Sequence, residues 1–163
     1  MKKIIERLTV FAIGLPLMLS SVYFLPYGHF FILHLEIFIA TALSIIEIRL
    51  MFSRKIAVYS VPIVLIAGLI IPVTAYLHAL GLIARIGVLL VSIGAVYFIF
   101  FVETFYSFSK PFEKSIQRVC SAVFIIFYPG LLIVFLSAMT RWPSASHIIA
   151  IFLLMVFSCD SLA

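Results

Sequence analysis

IAVYSVPIVLIAGLIIPVTAYL, residues Ile56 to Leu77, runs without a single charged side chain. A helix rises ~1.5 Å per residue and needs about 20 residues to cross a hydrocarbon core of ~30 Å. The stretch therefore predicts a membrane-spanning helix. Moving outward in both directions, the pattern repeats: uncharged runs of roughly 18 to 29 residues fill most of the chain, each long enough for a crossing. The composition agrees, with 66% hydrophobic residues, 10% charged and a mean hydropathy of +1.34. Soluble domains hold roughly 45–50% apolar and 25% charged residues. A transmembrane barrel would show short alternating strands, and no such alternation occurs. The fold class is an all-α integral membrane protein.

Charges and turn residues divide the chain into six expected spans: Leu8 to Leu25, Gly28 to Ile48, Ile56 to Leu77, Leu82 to Tyr106, Val119 to Met139 and Ser144 to Ala163. Pro26-Tyr27-Gly28, His78 to Gly81 and Thr140 to Ser144 supply the turn chemistry between them. Lys2, Lys3 and Arg7 precede the first run as in a signal peptide. That run is too long for a signal core, contains Pro16 and lacks a small-x-small cleavage site, so it reads as a retained span. No repeat or flexible linker interrupts the chain, and residues 1–163 read as one polytopic membrane domain.

Cytoplasmic loops are enriched in Lys and Arg. With the N-terminus cytoplasmic, Lys2, Lys3, Arg7, Arg49, Arg54, Lys55, Lys110, Lys114 and Arg118 lie inside, and only Arg85 and Arg141 lie outside. Trp142 and Tyr27 then sit at the outer interface, where amphipathic rings belong. The net charge of +5 fits contact with anionic headgroups rather than nucleic acid. Cys120 and Cys159 fall within apolar runs, where a thiol is expected to behave as a small buried hydrophobe.

Glu6 and Glu113 fall in solvated loops, which leaves four acidic residues within or at the ends of spans. Glu47, Glu103 and Asp160 end the second, fourth and sixth spans, all on the cytoplasmic side. Such carboxylates could converge on Mg²⁺, a hard cation that shares oxygen ligands with substrate phosphates. Alternatively, Glu47 pairs with Arg49 and Arg54, and Glu103 with Lys110; for these two the pairing is the preferred reading. Asp160 has no base near it in sequence and is the leading metal-ligand candidate. Glu36, in the outer half of the second span, reads as a hydrogen-bonded carboxylate, with His34 or Arg85 as possible partners. His34, two residues away, does not share its helix face. Pro16, Pro62, Pro72 and Pro129 are expected to kink their spans. Gly87 and Gly94 fall on one face of the fourth span, where small residues favour close helix packing.

Several of these residues resemble the bacterial phosphatidate cytidylyltransferases, or CDP-diglyceride synthases. IIERLTVFAIGLPLML carries Arg7, Gly14 and Pro16 where that family tends to have an Arg, a Gly and a Pro. SIIEIRLMF puts Glu47 on the family Glu, FYPG at Phe127 to Gly130 is similar to its Tyr-x-Gly pattern, and FSCDSLA resembles its Asp-Ser/Thr-x-Ala-Tyr element, with Asp160 on the Asp. The resemblance implies joining CTP to phosphatidic acid to give CDP-diacylglycerol and pyrophosphate, with Mg²⁺ as cofactor and Asp160, alone or with Glu47 or Glu103, as its ligand. It also implies an inner-membrane location, anionic lipids as partners and a possible homodimer. The family's later polar stretch, with Lys-Asp, Pro-Gly-His-Gly-Gly and Asp-Arg-x-Asp, has no counterpart here. The chain is therefore expected to be the N-terminal part of a longer protein and inactive alone. A transporter component using Glu36 and Asp160, and a non-catalytic scaffold, are the competing readings. The first three spans do not repeat in the last three, which counts against the transporter.

Overall fold

A computed structural model describes residues 2–106 and 112–162, with side chains over 12–106 and 112–159. The chain forms α1 (Lys2–Phe24), α2 (Tyr27–Ser53), α3 (Val61–Ala79), α4 (Arg85–Tyr106), a 3₁₀ turn (Phe112–Lys114), α5 (Ser115–Met139) and α6 (Ala145–Leu162). No strand occurs among the described residues. α2, α3, α4 and the stretch Phe112–Met139 are long and apolar enough to cross a membrane; α1 and α6 add the shorter apolar stretches Ala12–Phe24 and Ala145–Cys159. The protein is thus an all-α, multi-pass membrane protein. Large apolar side chains such as Phe24, Leu82 and Tyr97 stand exposed, a surface suited to lipid rather than water.

α3 is the central helix, packed on α2, α4 and α5, while α1 packs on α6. In lipid, close backbone approach replaces the hydrophobic drive between helices, so interfaces favour small residues. The buried face of α3 follows this rule with Ala67, Gly68, Ala75 and Ala79 at helical spacing. A Cβ on Gly68 would collide with the Ile45 side chain of α2, and one on Gly130 of α5 would lie 3.2 Å from Ile71 of α3. Gly94 instead opens onto a shallow groove and Gly87 meets only Ile83 of its own chain segment, so Gly68 and Gly130 do the close packing expected of that pair. Two apolar cores result. Leu15, Val22, Leu33, Ile149 and Leu153 join α1, α2 and α6, while Ile45, Val64, Ile71, Ile99 and Ile125 join α2 to α5.

Helix boundaries shift from expectation by several residues, and three of the differences change how side chains are placed. Residues 54–60 are not helical: Ser60 is extended, with φ −62° and ψ 153°, and α3 starts at Val61 with Pro62 in its first turn. Pro62 thus opens a helix, where its missing N–H costs nothing, instead of kinking one. α5 begins at Ser115, which draws Arg118 out of the loop and into a buried helical position. At the start of α2, Gly28, His29 and Phe30 form a left-handed turn, with φ of 60°, 53° and 62°. Non-glycine residues pay roughly 1–2 kcal/mol each for this conformation. Tyr76 braces the turn from α3, its hydroxyl donating to the Gly28 carbonyl at 3.0 Å. Cys120 and Cys159 are exposed on the bundle surface rather than buried.

Candidate functional site

Glu103 near the end of α4 and Arg118 near the start of α5 flank the α4–α5 connection, so an antiparallel pair of helices brings them to one level. Both are buried. Arg118 donates from Nε to Glu103 Oε2 at 3.1 Å and from Nη2 to Oε1, a bidentate pair, and Nη2 also reaches Ser115 Oγ at 3.1 Å. The Tyr59 hydroxyl, from the 54–60 connector, donates to Glu103 Oε2 as well. Planar guanidinium geometry suits two parallel bonds to a carboxylate. Burial, and then the Glu103 carboxylate, hold the Tyr59 phenol well above its ordinary range, so it remains a donor.

The connector is strapped down on both sides. Arg49 Nε of α2 donates to the Tyr59 carbonyl at 3.0 Å, Ser121 Oγ to the Ala57 carbonyl at 3.3 Å, and the Ala57 amide to Gln117 Oε1 at 3.4 Å. Two of the bases assigned to this end, Arg49 and Arg118, are therefore structural. Arg54, Lys55 and Lys114 remain exposed, with no hydrogen-bond or ion-pair partner among the described residues, and form the cationic rim.

The structure separates the candidate carboxylates. Glu103 bonds to Arg118, 15 residues on, and to Tyr59; Lys110, its expected partner, lies outside the described residues. Glu47 is exposed and pairs with neither Arg49 nor Arg54. Residues two apart in a helix point to different sides, and Arg49 turns toward Tyr59. The Asp160 side chain lies outside the described residues. Among the described residues no three His, Cys, Asp or Glu side chains gather as a metal site. The donor set at this end offers Glu47 and Glu113 as exposed carboxylates among the described residues, and a magnesium ion shared with phosphates needs one or two such ligands.

At mid-depth and toward the opposite end, polar groups are matched by neutral partners. Glu36 accepts from Ser21 Oγ of α1 at 2.9 Å, not from His34 or Arg85. His34 turns to a different face, with Nδ1 3.0 Å from the Phe30 carbonyl and Nε2 2.9 Å from Ser137 Oγ of α5. No buried side-chain nitrogen or oxygen among the described residues lacks a partner. Sequence reasoning passed over Tyr59 and Arg118. The signal for Arg118 was present: an acid and a base placed symmetrically about a helix–helix connection meet when the helices pair. Tyr59 had no comparable signal, because it was read as part of a span.

No curated protein and no solved structure matches the chain. The family model for cytidylyltransferases, however, matches residues 5–163, from α1 through α6, and the chain belongs to the cytidylyltransferase family.

Proposed function

We propose that this chain serves the transfer of a cytidylyl group from CTP to phosphatidic acid. An oxygen of the lipid phosphate attacks the α-phosphorus of CTP, a new phosphoanhydride bond forms, the α–β bond breaks, and pyrophosphate leaves with CDP-diacylglycerol as product. The family match over residues 5–163 carries this reading. The cationic rim of Arg54, Lys55 and Lys114 supports it, since both substrates are anions and exposed bases raise their local concentration.

Asp160 and Glu47 are the proposed oxygen ligands of Mg²⁺, which when bound would offset charge on the triphosphate. Arg118 and Tyr59 would keep Glu103 in place as a structural carboxylate and hold the 54–60 connector, and so the rim, in position. The membrane is the inner one, with the N-terminus and the Glu103–Arg118 end facing the cytoplasm, as the distribution of bases favours.

Two experiments test this reading. In membranes containing the completed protein, Asp160→Asn should abolish CTP-dependent formation of CDP-diacylglycerol at unchanged protein level; turnover at the wild-type rate would remove Asp160 from the mechanism. In a background with Cys120 and Cys159 replaced by serine, a cysteine at Glu113 should react with an impermeant maleimide only after the cells are permeabilised. Labelling of intact cells would reverse the orientation.

A further inference from the structure

At the end of the bundle away from Glu103 and Arg118, one arginine, Arg141, bonds to His78, and a second, Arg85, lines the same groove as that histidine. His78 Nδ1 is 2.7 Å from the Ile83 carbonyl and must carry the proton there, which leaves Nε2 to accept from Arg141 Nη1 at 3.2 Å. Arg141 also reaches the His78 carbonyl at 3.5 Å. A neutral imidazole thus orients the guanidinium without neutralising it. Arg85, at the start of α4, is exposed and has no bonded partner among the described residues. Cations near a helix N-terminus oppose its dipole, so Arg85 does not serve the stability of α4.

Arg85 and His78 line the mouth of a groove of about 620 Å³ between α3, α4 and α5, whose walls are otherwise largely apolar, with Leu89, Phe127, Leu131 and Val134 among them. A second groove of about 970 Å³, between α4 and α5 and reaching Cys120, shares Phe127 and Leu131 with the first. Uncompensated positive charge at one end of a long apolar channel is complementary to a single kind of molecule: an anionic amphiphile lying parallel to the helices.

We propose that this groove holds one membrane phospholipid of net negative charge, its phosphate at Arg85 and the His78–Arg141 pair and an acyl chain along Leu89, Phe127 and Leu131. The site lies in the leaflet opposite the end where cytidylyl transfer is placed, and it does not depend on that reaction. Selectivity follows from charge: a choline or ethanolamine headgroup brings its own cation to a place already holding two, whereas phosphatidylglycerol brings none. Another groove, between α3 and α4 and lined by Ile66, Ile70, Leu90 and Phe98, has no base among its lining residues. It should take acyl chains without regard to headgroup.

The test uses the whole protein reconstituted in vesicles, with photoreactive phosphatidylglycerol and phosphatidylcholine that carry the same diazirine acyl chain. Peptide mapping should show several-fold stronger labelling of 85–92 and 127–138 by the anionic probe, and equal labelling of 66–70 by both. In the Arg85→Gln/Arg141→Gln variant the preference at the first two segments should vanish while labelling of 66–70 stays as it was; Arg85→Lys, which keeps the charge, should retain the preference. Equal labelling by both probes in the wild type would overturn the proposal, as would a preference that survives the double substitution. Crosslinks joining two copies of the chain through these segments would also overturn it, by giving the groove to protein instead of lipid.

Discussion

Where α4 meets α5, Glu103 carries a bidentate arginine and a phenol; at the opposite end Arg141 leans on a neutral histidine, and Arg85 bonds to none of the described residues. Both arrangements obey one electrostatic rule. A charge buried among helices costs several kcal/mol in desolvation unless an opposite charge and further hydrogen bonds accompany it. A charge at the bundle surface costs little and keeps its field free to act on something else. The comparison teaches which bases in a membrane chain are fasteners and which are available for ligands: burial and pairing decide, not the loop count alone. Arg49 and Arg118 belong to the first class, and Arg54, Lys55, Lys114, Arg85 and Arg141 to the second.

The largest expected effect lies at the buried pair. Arg118→Met would leave Glu103 charged among apolar helices without its bidentate guanidinium, and removing one partner of a buried ion pair costs about 3–5 kcal/mol. In detergent solution the variant should unfold at a much lower temperature than wild type, whereas Arg141→Gln should unfold with it, since surface substitutions fall within roughly 0.5 kcal/mol. Adding Glu103→Gln to Arg118→Met should restore much of the loss, because the orphaned charge is then gone. Equal melting of Arg118→Met and Arg141→Gln would break the distinction between the two ends.

A smaller effect is expected at Tyr59. Tyr59→Phe removes one donor from Glu103 while Arg118 stays, a change of about 1–3 kcal/mol for a buried acceptor. The pH dependence sharpens it. Because the folded-state phenol titrates above its unfolded value, the folded protein retains this proton longer, and the associated stability is fully present below about pH 10, where the free phenol titrates, and is lost as pH rises beyond it. Wild type should therefore lose more stability than Tyr59→Phe as pH rises above about 10, and the two melting curves should draw together there. Parallel curves would mean that Tyr59 ionises as an exposed phenol does.

Much of this was legible in the chain. Long uncharged runs are sufficient to count six helices, because lipid requires every backbone group to bond within its own segment. His34 and Glu36 were separable by their two-residue spacing, and they do turn to different helices. What was hidden depended on which hydrogen bonds compete for a side chain. Arg49 stands two residues from Glu47 yet bonds to a carbonyl ten residues away, because the 54–60 connector presents that carbonyl where the helix face already points. The left-handed turn over Gly28 to Phe30 was equally hidden: Pro26 and Gly28 announce a break, but only the brace from Tyr76 explains why His29 and Phe30 follow glycine into a costly conformation. The chemistry of the candidate site had one sequence handle, the FSCDSLA element, and Asp160 within it lies outside the described side chains.

The smallest effect should come from the neutral network at mid-depth. His34 Nδ1 faces the Phe30 carbonyl and carries a proton, so in the neutral ring Nε2 is an acceptor, and the single Ser137 hydroxyl proton is shared between Nε2 at 2.9 Å and the Ala75 carbonyl at 3.1 Å. Ser137→Ala deletes the hydroxyl that links α2, α3 and α5, yet no net charge is stranded by its removal. Hydrogen bonds between membrane helices average only about 0.6 kcal/mol, so the melting temperature should fall slightly, by far less than for Arg118→Met and less than for Tyr59→Phe. A fall as large as that of Arg118→Met would show that a neutral network can fasten these helices as firmly as a paired charge, and the contrast drawn between the two ends would then rest on the free arginines alone.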